Sequence, residues 1–337
     1  MPQRLDENAK GVFVIAPTPF TENGAVDEAS AGRMVDAFLA AGASGLTLLG
    51  VMGEAPKLDA EEARRFVALV LKRVDGRVPV VVGVSAPGFA AMRALARSAM
   101  DAGAAGVMIA PQSGLRGDDA VLSYMAGAAE AVGGAPWVLQ DYPQLTGVHM
   151  SPDMVRRMAE DPRLVMLKAE DWPGLDKITA LRRLSDEGKM RRLSILGGNG
   201  GLFLPEELER GADGIMTGYA VPEMLVRVQR LVAEGDRTAA HDLFDLHLPL
   251  IRTEHQPGLG LAVRKYVLRR RGVIACEALR APGPKLSAET RAEVDWLLDH
   301  VSLDAEVVGP VTRLLADVVL ANDLAAARAA VEQDPRL

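Results

Sequence analysis

One four-residue unit occurs three times in this chain: Gly42-Ala43-Ser44-Gly45, Gly103-Ala104-Ala105-Gly106 and Gly211-Ala212-Asp213-Gly214. Each copy ends an amphipathic stretch and opens an apolar run. The first glycine suits the left-handed position that stops a helix. The second lets the chain turn tightly into a strand. A helix-to-strand junction used three times points to a closed, repeating βα architecture.

The apolar runs support it. They are Val12–Ala16, Leu46–Leu49, Val78–Val84, Val107–Ala110, Trp137–Leu139, Leu164–Leu167, Leu193–Leu196 and Gly214–Met216. They are continuously apolar rather than alternating, as parallel strands buried on both faces are. Helical stripes lie between them, such as Met34, Val35, Phe38 and Leu39, or Met92, Leu95, Ala96 and Ala99. Ser151-Pro152 reads as a helix cap followed by proline in the first turn. Eight strands with intervening helices give an α/β fold, the (β/α)8 TIM barrel with a C-terminal helical domain. A doubly wound sheet would favour a glycine-rich loop after the first strand, and Ala16-Pro17-Thr18-Pro19 is not one. Strand signals stop after Met224. The expected division is a barrel over 8–222, a helical domain over 223–300 and a helical extension over 301–337, where Val308–Val331 is rich in Ala, Leu and Val.

Composition narrows the function. The 337 residues are 49% hydrophobic, with a net charge of -7, which argues against a nucleic-acid partner. The one cysteine, Cys276, excludes an internal disulfide framework and fits a cytoplasmic location. The first ten residues have no apolar signal core, and no apolar run approaches the ~18 residues of a membrane span. His149, His241, His247, His255 and His300 show no metal-ligand spacing, so neither a metal nor another cofactor is expected.

Barrel sites lie at the C-terminal ends of the strands. Lys168, directly after Leu164–Leu167, is the only lysine at such an end. Burial there favours the neutral amine, which can attack a ketone and form an imine. The plainer reading is a lysine snorkelling out of the barrel mouth. Gly50-Val51-Met52-Gly53-Glu54 can turn backbone N–H groups toward a carboxylate, although it also reads as an ordinary tight loop. Ser113, Asn199, Thr217 and Gly218 end other runs and leave room for a ligand.

Gly50–Glu54, Gln140-Asp141-Tyr142-Pro143 with Thr146-Gly147, Leu167-Lys168, and Glu254-His255-Gln256-Pro257 together resemble the motifs of the dihydrodipicolinate synthase/N-acetylneuraminate lyase superfamily, over roughly 10–300. The last of these resembles the family's C-terminal helix-opening motif. The resemblance implies a TIM barrel, a homotetramer built as a dimer of dimers, a small 2-oxo acid substrate and an imine on Lys168. It also marks departures. Val51 and Met52 stand where the family has two threonines of its carboxylate loop. Gln140 stands at the catalytic tyrosine. Ser113 falls near the second tyrosine of the synthase relay, and Leu145 falls on the arginine that binds a substrate carboxylate. Synthase activity is therefore not expected.

One branch, the 2-keto-3-deoxy-L-arabonate dehydratases, is similar in Gln140-Asp141, in Lys168-x-Glu170, in Met216-Thr217-Gly218, and in Leu248-Pro249-Leu250-Ile251 leading to Glu254. The expected reaction is dehydration of a 2-keto-3-deoxy sugar acid. Asp141, Glu170 and Ser113 are the candidates for moving the proton, and Gln140 can position substrate or water but cannot act as a base. Aldol cleavage through the same imine, and a non-catalytic barrel that binds 2-oxo acids, are the rival readings.

Overall fold

The computed structural model describes residues 4–172 and 174–301. Eight parallel strands close on themselves in chain order. They are β1 (Gly11–Ile15), β2 (Gly45–Leu48), β3 (Val80–Gly83), β4 (Gly106–Ile109), β5 (Trp137–Asp141), β6 (Leu164–Ala169), β7 (Ser194–Gly197) and β8 (Gly214–Thr217). Every apolar run named above forms one of them. The helices between them pack outside, and some carry the caps their sequence suggests. Asp59 and Glu62 form a reciprocal capping box, and the Ser151 hydroxyl accepts from the Met154 N–H with Pro152 in the first turn.

Side chains alternate across each strand, which divides the apolar core in two. Val12 and Val14 of β1 join the layer between barrel and helices. Phe13, Ile15, Val81, Met108, Val138, Met166, Leu196 and Met216 fill the barrel interior. At the barrel's lower end Leu5 bonds through its N–H to the carbonyl of Ala105 and packs into this interior cluster.

The repeated junction has two physical causes. Gly42, Gly103 and Gly211 have φ of +88°, +101° and +95°. A Cβ at Gly45 would lie 2.4 Å from the Phe13 ring, at Gly106 2.8 Å from the Pro136 carbonyl, and at Gly214 2.0 Å from the Gly11 carbonyl. The second glycine thus serves close packing against a neighbouring strand, not a turn.

After β8 the chain is helical among the described residues, over Pro222–Glu234, Arg237–Glu254, Gly260–Arg270 and Ala288–Val301. Glu254-His255-Gln256-Pro257 lies at the junction between the second and third of these. The expected extension beyond residue 301 lies outside the described residues.

Candidate active site

The inner faces of the strands run upward into one narrow cavity of about 70 Å³ at their C-terminal ends. Gln140 continues the face of Val138, and Lys168 continues the face of Met166. The two residues are paired in the β5–β6 ladder and share a level. Lys168 is 2% exposed, and its Nζ lies 2.7 Å from Glu170 Oε2. Gln140 Nε2 donates to the same oxygen at 2.8 Å. A carboxylate only accepts, so this contact fixes which way the Gln140 amide points. The Asn199 N–H reaches Glu170 Oε1 at 3.4 Å. An amine, a carboxyl and an amide thus form one buried, hydrogen-bonded group. A wider groove of about 710 Å³ on the outer helices, between Leu122 and Arg163, holds no residue from the strands' C-terminal ends.

The loop after β2 supplies one wall. Val51–Gly53 make a single tight turn, and Val51 and Met52 line the cavity. Glu54, expected beside the substrate, faces away. It is buried against Lys265 at 2.6 Å and Lys57 at 2.8 Å, and it accepts the Arg280 N–H. Glu54 therefore ties the loop to the C-terminal helices. The Thr18 hydroxyl donates to the Gly53 carbonyl at 2.6 Å and holds the loop's other side.

Three further expectations need correcting. Asp141 was expected near the reacting carbons. Being adjacent to the inward Gln140, it faces outward and pairs with Lys177, which also meets Asp171 at 3.1 Å. Burial pushes the Asp141 carboxyl up to about 6, although Lys177 pulls it down. Ser113 is exposed on the loop after β4 and does not line the cavity. Asn199 is buried and does not line the cavity, although its backbone N–H reaches Glu170, while Thr217 and Gly218 lie on the cavity wall.

The sequence reading did not single out Ile15, Tyr142, Gly200, Tyr219, Glu254 and His255 as cavity residues, and all six line it. Ile15 and Tyr142 follow from their places at or just past the ends of β1 and β5. Glu254 and His255 come from the C-terminal helices, which no local pattern places over a barrel mouth. Burial pushes the Glu254 carboxyl up to about 8 against the pull of Arg264. Glu207 stands behind Gly197, and burial, then the charge of Glu170, pushes it up to about 8. Among the described residues no group of three or more His, Cys, Asp or Glu could hold a metal ion.

Comparison with known proteins gives a consistent picture. The family model described as "Dihydrodipicolinate synthetase family" matches residues 8–301. The L-2-keto-3-deoxyarabonate dehydratase of Azospirillum brasilense is 31% identical over 293 residues, covering 85% of this chain and 92% of that one. The 4-hydroxy-tetrahydrodipicolinate synthase of Pelobacter propionicus is 32% identical over 245 residues, covering 72% and 81%. A crystal structure of a dihydrodipicolinate synthase from Rhodopseudomonas palustris is 55% identical with a TM-score of 0.87, covering 88% of this chain and 99% of that one.

Proposed function

We propose a reaction from one premise: this chain belongs to the dihydrodipicolinate synthetase family. The proposed activity is that of a Schiff-base lyase which dehydrates a 2-keto-3-deoxy sugar acid. The observation that carries it is the group Lys168–Glu170–Gln140, with a carboxylate 2.7 Å from the amine and an amide where the synthases carry a tyrosine.

The steps follow from that geometry. The Lys168 amine attacks C2 of the 2-oxo acid, and loss of water leaves an iminium. The iminium draws electrons from C3, so the C3–H bond weakens. Glu170 takes that proton, and the electron pair enters the iminium as an enamine. The enamine nitrogen returns the pair, C3=C4 forms, and the C4 hydroxyl takes the proton from Glu170 and leaves as water; hydrolysis of the iminium then frees Lys168 and releases an unsaturated 2-oxo acid that tautomerises to the dioxo acid. Gln140 holds Glu170 in place and does not titrate. Asp141 and Ser113 take no part.

Glu170, Glu254 and His255 line the cavity beside Lys168. With Leu145 at the synthase arginine, an uncharged hydroxylated tail suits this site better than a second carboxylate. Synthase activity is therefore expected to be absent, although both dehydratase and synthase names occur among the relatives.

Product analysis after incubation with 2-keto-3-deoxy pentonates and hexonates tests the proposal. A dioxo acid formed with loss of water is the expected product. Pyruvate plus an aldehyde would instead establish aldol cleavage, and no turnover with any 2-oxo acid would favour a binding barrel.

A further inference from the structure

His255 brings a side chain with no protein partner to the cavity wall. It directly follows the helix Arg237–Glu254, is half-buried, and lines the same cavity as Lys168 and Glu170. Its ring has no hydrogen-bond or ion-pair partner among the described residues. Several polar neighbours in the cavity are already engaged. Lys168 and Gln140 both contact Glu170, and the Tyr219 hydroxyl is bonded to His247 Nδ1 at 2.9 Å.

A glycine accounts for the ring's position. A Cβ on Gly200 would lie 2.9 Å from His255 Nδ1 and 3.1 Å from Cγ, so the imidazole packs onto the backbone of the Asn199–Gly201 turn. Asn199, one residue earlier, reaches Glu170 through its N–H. One turn thus holds the Glu170 carboxyl and, at the next residue, carries the His255 ring. Burial holds that imidazole below its ordinary range, although the charge of Glu170 draws it up. A neutral imidazole offers one N–H donor and one bare nitrogen acceptor. A hydroxyl group, which both donates and accepts, can satisfy either nitrogen.

We propose that His255 recognises the hydroxylated tail of the substrate, its imidazole bonding the C5 hydroxyl of a 2-keto-3-deoxy aldonate whose C3 lies at Glu170. The inference rests on the Schiff-base reading for the placement of C2 and C3. A chain held at C2 by Lys168 and flanked at C3 by Glu170 carries its tail past the Asn199–Gly201 turn to the ring. A tail without the hydroxyl would leave the imidazole unpaired once the cavity is filled, which is costly.

Turnover of a 2-keto-3-deoxypentonate and of its 5-deoxy analogue, alongside borohydride trapping with pyruvate, tests the assignment. The parent protein is expected to favour the pentonate in kcat/KM by roughly tenfold. His255→Phe should erase that preference by lowering kcat/KM for the pentonate, with the 5-deoxy acid and pyruvate trapping within a few-fold of the parent. His255→Asn, which keeps a donor and an acceptor, should recover part of the preference. An unchanged preference in His255→Phe, or in His255→Ala if the first variant does not fold, overturns the proposal. So does an equal fall with both acids in His255→Phe and in His255→Ala. A preference that depends on His255 but ends in pyruvate and an aldehyde would sink the dehydratase reading alone. Dehydration of both acids at the same rate by the parent would sink this inference alone, and no turnover of either acid would remove both.

Discussion

Lys168, Glu170 and Gln140 meet because residues two apart share a strand face and because β5 and β6 pair Gln140 with Lys168. The sequence already showed the lysine at a strand end and the carboxylate two residues on. It also held the clue that excludes Asp141: if Gln140 points inward, its neighbour points out. Glu170→Gln is expected to keep imine formation and to slow dehydration about a hundredfold or more, as loss of a general base does. Single-turnover trapping alongside steady-state kinetics separates the two effects, and equal losses in both would contradict the assignment. Asp141→Asn should behave oppositely. It weakens the buried partner of Lys177, so denaturation should show a loss of about 1–3 kcal/mol, with kcat/KM of the folded protein little changed.

At the scale of elements, the eight apolar runs and the triple junction made the barrel legible, because both reflect constraints local in sequence. The reason for the second glycine was not legible, since its neighbour lies on another strand. Gly103 and Gly214 separate the two causes. A methyl on Gly103 meets nothing within 4 Å and adds only backbone strain at φ +101°. Gly103→Ala is therefore expected to cost about 1–2 kcal/mol. Gly214→Ala must push apart the β1–β8 pair, because the Gly11 carbonyl stands 2.0 Å away. It should cost clearly more in equilibrium unfolding, and comparable losses at the two sites would contradict this account of the junction. Gly198 has a functional counterpart: a Cβ there would lie 2.3 Å from Glu170 Cγ, so the glycine leaves room for the carboxyl.

Across the whole molecule, the C-terminal helices complete the cavity. Lys265 reaches back 211 residues to Glu54, and Arg264 reaches back 249 residues to Ile15. Contacts of such separation carry no local signature, which is why the motif Glu254-His255 could be named in the sequence without being placed at the cavity. The buried carboxyls also set how stability depends on pH. Glu207 and Glu254 have values of about 8 against an ordinary 4.5, so the folded chain holds these protons more tightly than the unfolded one. Their contribution is full below about 4.5 and is lost as pH rises through about 8. Glu207→Gln, which cannot ionise, should therefore flatten the fall in Tm between pH 5 and 8. An unchanged slope would contradict burial of a protonated Glu207.

The proposed chemistry depends on one covalent bond, between Lys168 and the 2-oxo acid. Borohydride reduction of the parent protein with pyruvate, followed by peptide mass mapping, tests it most directly. A single reduced adduct on the peptide containing Lys168, absent from Lys168→Ala, is the expected result. No adduct, or an adduct that persists in Lys168→Ala on another lysine, would contradict it.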